Sequence, residues 1–384
     1  MANTLTGLSP SLYQGLDIVS RELVGFIPSV TRNTSAERAA LNQTITYPIA
    51  PSLTSSNITP SMIPTNPSDL TIGTGTLSIS KAKEVEFAFV GEEYRQLSNG
   101  GNWQTVQADL FAQALRTLVN EIEVDLCTAA TAAASRGYGT AGTTPFGTNT
   151  GETAQMKKIL DDNGAPASER SLIINSTAGA SLRTLTQLTK VNEAGKSMTL
   201  RDGMLLDLNG FMIKESAAIL TPTAGTASGA TTNNAGYAVG STTFTLASAG
   251  TGTILAGDYI TFAGDTNKYL VTSGDSDVSN GGSITIAAPG IRVAMSAATK
   301  AITVVGTSAR NIGFTRSALH LVARAPALPA EGDAAVDSMM LVDPRSGLPF
   351  EIRVYLGNRK VQYKVGLAWG VHASKAEHIA ALLG

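Results

Sequence analysis

The chain has 384 residues, room for about two or three domains, with 28 Lys and Arg against 30 Asp and Glu and a formal net charge of −2. Charged residues make up 15%, against roughly 25% in an average soluble protein, and hydrophobic residues 43%. This balance excludes global disorder, lacks the basic excess of a dedicated nucleic-acid-binding protein, and suggests a surface covered by other subunits.

Residues 9–24 predict a short amphipathic helix. Ser9 is a fair N-cap, Pro10 suits the first helical position, and Leu12, Leu16, Val19 and Leu23 share a face. Gly25 and Pro28 stop it. So short a helix needs a surface to lie on, its own subunit's or a neighbour's. The runs 44–49 and 76–90 read as strands flanking a stretch dense in Pro, Ser, Thr and Asn, with Pro51, Pro60, Pro64 and Pro67. Together they suggest a long two-stranded arm, which is barely stable in water unless it lies on its own domain or on another subunit.

Residues 103–135 predict a long helix, with Val106, Leu110, Ala114, Leu118 and Ile122 at a spacing of four. At 1.5 Å per residue it spans roughly 50 Å, enough to serve as a spine. A helix at 152–162 ends at Gly164 and Pro166; a buried strand at 172–174, a helix around 178–189 and a strand at 212–215 follow. The composition then shifts to Thr, Ala, Gly and Ser. Short runs at 242–246, 259–262, 268–271, 283–286 and 301–305, separated by turn residues, predict a small β-barrel or sandwich inserted at 222–311.

Near the C-terminus, Phe350, Ile352, Val354 and Leu356 alternate with polar residues, as do Val361, Tyr363, Val365, Leu367 and Trp369. A Gly357-Asn358 turn predicts a hairpin in which Leu356 faces Arg359, Val354 faces Val361, and Glu351 faces Lys364. His372 and His378 are expected to flank a turn into a C-terminal helix.

The search for chemistry yields no catalytic, cofactor-binding or metal-ligating residues. Cys127 is the only cysteine, which forbids an internal disulfide and a Cys-based zinc cage; in the long helix it reads as a core filler. Gly195-Lys196-Ser197 resembles the end of a phosphate loop, but Lys190 stands where its first glycine belongs. Among the histidines, His320 reads as a satisfied sheet residue, and no His-Glu-x-x-His spacing involves His372 or His378. Glu92-Glu93, Glu121 with Glu123, and Asp161-Asp162 point apart on helices and read as solvated faces. Asp258, Asp265, Asp275 and Asp277 suit turns, with a weak calcium site near the last two as the alternative. No signal-type apolar run follows Met1 and no stretch matches a membrane span, so the expectation is a protein made in a cytoplasm.

Several runs carry a resemblance that extends nearly end to end. They are Leu16-Asp17-Ile18-Val19-Ser20-Arg21-Glu22-Leu23, Leu115-Arg116-Thr117-Leu118-Val119-Asn120-Glu121-Ile122-Glu123, and Ile159-Leu160-Asp161-Asp162-Asn163-Gly164-Ala165-Pro166. Gly264-Asp265-Thr266-Asn267-Lys268-Tyr269, Asp343-Pro344-Arg345-Ser346-Gly347-Leu348-Pro349-Phe350 and Leu367-Ala368-Trp369-Gly370-Val371 complete them. On these runs the chain resembles a tailed-bacteriophage major capsid (coat) protein of the Hong Kong 97-like fold, in the P-twenty-two type branch with an inserted β-domain.

The resemblance implies an α+β chain. Residues 1–43 would be an N-arm and 44–90 an extended loop lying over an adjacent subunit. Residues 91–150 and 340–384 would form a peripheral domain around the spine helix, 151–221 and 312–339 an axial domain, and 222–311 the insertion. It implies no enzyme activity and no cofactor. The implied partners are many copies of the chain in hexamers and pentamers, scaffolding and portal proteins during assembly, and packaged double-stranded DNA through weak non-specific contact, with no membrane. The implied place is the virion capsid, assembled in the bacterial host cytoplasm. The insertion is shorter than in the best-known member of that branch, so no inter-capsomer loop is assigned. The alternatives from composition are a secreted or surface β-rich adhesin and a hydrolase with an unrecognised site.

Overall fold

A computed structural model describes residues 24–49, 53, 55, 57–58, 60, 72–99, 103–189, 207–344 and 346–384. The helix expected over 9–24, apart from Val24, and the phosphate-loop-like Gly195-Lys196-Ser197 lie outside the described residues. In chain order the elements are β1 (Thr31–Ala39), β2 (Thr44–Ile49), β3 (Gly73–Ser78), β4 (Lys81–Val90), α1 (Gly91–Asn99), α2 (Trp103–Ala133), β5 (Arg136–Gly139), α3 (Gly151–Asp162) and β6 (Arg170–Ile174). Then come α4 (Ser176–Thr184), α5 (Thr186–Thr189), β7 (Phe211–Glu215), β8 (Thr243–Leu246), β9 (Tyr259–Phe262), β10 (Lys268–Ser273), β11 (Gly282–Ile286) and β12 (Ile302–Val304). The chain closes with β13 (Arg310–Thr315), β14 (Leu319–Pro326), β15 (Asp337–Val342), β16 (Pro349–Gly357), β17 (Lys360–Ala373) and β18 (Ile379–Leu383).

The first sheet is organised by β17. One of its edges takes β16 and then β14, the other takes β4, and β1 runs parallel to β14. The strand's alternation explains how. Tyr363, Val365, Leu367 and Trp369 are all buried in the main core with Phe111, Leu115, Leu118 and Ile122 of α2. On the opposite face stand the small residues Gly366, Ala368 and Gly370, leaving room for another strand to lie close.

The second sheet runs β12-β9-β10-β5-β18-β13-β6-β7, with β11 and β8 attached through β10. Ile312, Phe314, Ile379, Ala381 and Leu383 of this sheet share the main core with α2, which therefore lies between the two sheets. On the other side, α3 and α4 bury Met156, Leu160 and Leu182 against Leu172, Ile174, Phe211 and Leu382. Asn175 caps α4 by accepting the Ala178 amide at 2.8 Å.

Residues 227–304 hold a cluster of their own, with Phe244, Phe262, Tyr269, Ile284 and Ile302. The bridges Thr231 to Ala301 and Thr232 to Leu246 draw β12 and β8 together around it. The strands of this segment nevertheless continue the second sheet, because β10 pairs with β5 through Lys268–Gly137 and Tyr269–Arg136. The sheets also do not divide at residue 340: β14 joins the first sheet and β18 the second.

Three expectations need correction. The run 76–90 is not one arm strand, for it breaks at Ile79–Ser80: β3 pairs with β2, while β4 runs along β17. The C-terminal helix expected after His378 is the strand β18, whose Ile-Ala-Ala-Leu-Leu is buried on both faces between β13 and β5. The hairpin loop is Asn358-Arg359, with Arg359 at a φ of 57°, so Gly357 pairs with Lys360, Val354 with Tyr363 and Arg353 with Lys364. This register differs by two residues from the expected one. Side chains alternate with period two, so the apolar faces still coincide, but Glu351 faces Gly366 and not Lys364.

Candidate assembly surface

The arm formed by β2 and β3 carries no charge on either strand: Thr-Ile-Thr-Tyr-Pro-Ile pairs with Gly-Thr-Gly-Thr-Leu-Ser. Tyr47 stands opposite Gly75, and a Cβ there would sit 2.3 Å from the Tyr47 ring, so only glycine lets the ring lie across the partner strand. The root of the arm is fixed by a small apolar cluster of Ala39, Leu77 and Ile79 against Val322 and Ala368, with Ile45 and Tyr47 packed beside it. The Ser80 amide donates to the Trp369 carbonyl at 3.0 Å. Above Gly370 the chain passes so closely that an added Cβ would lie 1.9 Å from the Ser78 carbonyl oxygen.

Beyond its root the arm presents apolar side chains to solvent. Leu53 and Ile58 are 81% and 98% exposed, and Ile72 is exposed as well. A two-stranded ribbon with such residues gains stability by being covered. At the far end of the first sheet, Val90, Tyr94 and Leu356 are also exposed, next to α1, which buries none of its residues.

The charges of the first sheet are largely matched within the chain. Arg38 grips the buried Glu351 with two hydrogen bonds, 2.6 and 3.1 Å. Lys364 pairs with Glu84 and Glu86 of β4, Lys83 with Glu121, and Lys81 with Asp125 at 2.7 Å. Asp125 also accepts the buried Trp369 indole N–H at 2.8 Å, tying β17 to the spine helix. The Asp125 hydrogen bond, more than burial, sets the Lys81 ammonium, which is held above its ordinary range.

Glu123 was expected on a solvated face; instead it is buried, because α2 has a sheet on either side. Its Oε1 accepts the amides of Gly25 and Phe26 at 2.6 and 2.7 Å and the Ser216 hydroxyl at 2.8 Å, while Oε2 accepts the Ile27 amide at 3.1 Å. Burial pushes its carboxyl up and these donors pull it back. Lys214 extends the anchor by donating to Ser29 Oγ at 2.9 Å. The N-terminal segment is thus pinned to the spine and to β7. The only signal in the sequence was a carboxylate on the apolar side of a long helix.

The residues considered for chemistry do not converge on a reaction centre. Cys127 is buried in α2, and burial pushes its thiol up to about 11. Asp275 accepts the Asp277 amide, and Asp277 accepts from Ser279 and Asn280, so both carboxylates serve turns. Asp258 accepts the amides of Gly225 and Leu255. Among the described residues no three His, Cys, Asp or Glu side chains form a metal-sized group. His320 and His372 stand directly opposite each other on β14 and β17, whereas His378 is buried at the entry to β18. No described helix is long and apolar enough to cross a membrane.

A second feature that sequence reasoning missed is Arg310. It is completely buried in the middle strand β13 with its guanidinium 4.6 Å from the centre of the Tyr259 ring. Burial lowers its pKa and raises that of the Tyr259 phenol.

No family model matches the chain, and no curated protein matches it. Solved structures do. The capsid structure of the cyanophage P-SCSP1u matches with a TM-score of 0.50 at 11% identity, over 94% of this chain and 88% of that one. Mycobacterium phage Che8 matches with a TM-score of 0.46 at 11% identity, over 90% and 85%. A virus-like particle from Pyrococcus furiosus matches with a TM-score of 0.45 at 11% identity, over 97% and 98%. At this identity the likeness is one of fold, and the chain has the fold seen in the cyanophage capsid structure.

Proposed function

We propose that the chain is the major capsid protein of a tailed phage, a non-enzymatic coat subunit that assembles with copies of itself into the icosahedral shell enclosing double-stranded DNA. The observation that carries this reading is the match to the cyanophage capsid structure over nearly the whole of both chains. The uncharged arm with exposed Leu53 and Ile58 supports it, since such a ribbon adds buried area to each joint between subunits. The internally matched charges support it too, because like subunits then approach without strong mutual repulsion.

In the finer reading the fold is Hong Kong 97-like. Residues 1–43 act as the N-arm, with β1 docked on the edge of the first sheet, β2 and β3 with the segment between them make the extended loop, and α2 with β4, β14, β15, β16 and β17 makes the peripheral domain. Residues 151–221 with β13 and β18 make the axial domain, and 222–311 the inserted β-domain. The subunits group as hexamers and pentamers, with scaffolding and portal proteins as assembly partners, in the cytoplasm of a bacterial host.

The test is to express the full chain in a bacterium and examine the soluble fraction by sedimentation and negative-stain electron microscopy. Curved or closed multi-subunit shells are expected. A chain that stays monomeric at every concentration, alone and when co-expressed with a scaffolding protein, overturns the reading.

A further inference from the structure

The geometry points to a pH-operated hinge at the root of the arm, in which His320 and His372 together decide whether β2 and β3 stay seated on the first sheet. Two of the chain's three histidines are involved. They are direct cross-strand partners on antiparallel strands, so their side chains rise on the same face of the sheet. That face is the one on which the arm is seated, since Val322 and Ala368, on the same side of β14 and β17, pack against Leu77 and Ile79. The Tyr47 ring of β2 lies over His320, with centroids 5.1 Å apart and planes 16° from parallel. One imidazole is therefore roofed by the arm, and the other stands beside it in solvent.

The surroundings leave these two imidazoles in control. Neither arm strand carries a charged side chain. In the parallel strand β1 the residue opposite His320 is Thr31, whose hydroxyl donates to the Arg316 carbonyl. Arg32 reaches away to the Ser346 carbonyl, Arg316 is paired with Glu169, and Arg324 donates to Asn33. Lys375 follows the end of β17. No carboxylate enters the balance at His320: burial, the largest influence, holds the imidazole below its ordinary value near 6.5, a backbone hydrogen bond at Ser317 works against it, and the neighbouring His372 lowers it further.

The sign follows. Lifting the arm uncovers His320 and returns its affinity for protons towards the ordinary value, so the lifted state binds more protons below about pH 6.5. Acid therefore favours the lifted arm. Seating weakens as pH falls through 6.5 and stops changing once His320 is protonated in the seated state as well. The stack on Tyr47 opposes this as a cation–π contact, but the opposed imidazolium of His372 and the lost solvation act the other way.

Amide hydrogen exchange on the unassembled full chain tests this, following residues 44–49 and 73–78 between pH 7.5 and 5 after correction for intrinsic rates. Protection of both strands is expected to fall as pH drops below 6.5, by at most about tenfold per pH unit since one proton is linked to lifting, and to level off once seated His320 is protonated. His320→Phe keeps a ring under Tyr47 and removes the charge, so its protection is expected to be independent of pH. His372→Gln, at an exposed position, is expected to move the midpoint to higher pH by relieving the repulsion. A wild-type profile that is flat, or identical in His320→Phe, overturns the hinge. The inference deepens the reading of β2 and β3 as an assembly arm, and the two fail separately. Shells with a flat exchange profile leave the coat reading standing, whereas a permanent monomer removes it whatever the exchange shows.

Discussion

The Glu123 carboxylate accepts the Gly25 amide at 2.6 Å across 98 positions of sequence. With the amides of Phe26 and Ile27 and the Ser216 hydroxyl on the same carboxylate, this single side chain does for the N-terminal segment what a helix cap does for a first turn: it collects amide donors that would otherwise be buried without acceptors.

Replacing Glu123 with Ala strands those donors. Each orphaned buried group costs about 1–3 kcal/mol, and neighbouring losses do not add fully. A destabilisation of about 3 kcal/mol is expected by chemical denaturation, with the Gly25–Ile27 amides losing exchange protection. A change below about 1 kcal/mol would show that the segment is held by its apolar contacts alone.

Gly370→Ala puts a methyl group where the Ser78 carbonyl lies 1.9 Å away. Backbone cannot yield as a flexible side chain would, so the chain over β17 must shift. The expected cost is about 1–3 kcal/mol, as for other overpacked sites, with faster proteolysis between residues 40 and 80. Unchanged proteolysis would mean that the arm root is not seated there.

Arg310 is fully buried, and among the described residues its Nε, Nη1 and Nη2 have no hydrogen-bond acceptor. A buried charge that faces an aromatic ring and feels the Asp258 carboxylate only through space, with no hydrogen bond, is a poor source of stability. Arg310→Met is therefore expected to be as stable as the parent or more stable by about 1–2 kcal/mol in urea denaturation. A loss exceeding about 1 kcal/mol contradicts this.

Cys127 should behave as packing. With its thiol pushed up to about 11, only about one-thousandth is thiolate at pH 8, and the atom is enclosed. Aromatic disulfide reagents are expected to label it only at the rate of unfolding, so that labelling and denaturation share one midpoint. Fast labelling of the native chain would contradict its burial.

Deleting residues 52–71 leaves a short link between β2 and β3 and removes no residue of the two sheets. The expected product melts within about 3 °C of the parent, since loop length changes stability only slowly, yet forms no closed shells. Intact particles from this variant would refute the arm's part in assembly.

The long helix and the short strands of 243–304 were legible because their apolar residues repeat at the helical or strand period over several turns. The hairpin's faces were legible for the same reason. Its register was not, because a glycine beside an asparagine admits more than one two-residue loop and a slip of two leaves the hydrophobic pattern unchanged. Ile379-Ala380-Ala381-Leu382-Leu383 reads equally as helix or buried strand, and only its neighbours β13 and β5 decide. β1, with Arg32, Asn33, Thr34, Glu37 and Arg38, has no strand pattern at all and is extended because β14 offers it an edge. The arm root was hidden in Gly366, Ala368 and Gly370, whose meaning is the space they leave. Glu123 was hidden because its donors come from a distant loop.

The position of β18 has a consequence for timing. The strand that joins β13 to β5 is drawn from residues 379–383, so a nascent chain still short of that point holds the larger sheet in two unjoined parts. Whatever local structure forms earlier, the half bearing β5 and the half bearing β13 meet through strand pairing only once residues 379–383 have emerged. The larger sheet therefore closes by its last strand, and a chain lacking residues 379–383 would keep its two halves without a shared hydrogen-bonded ladder.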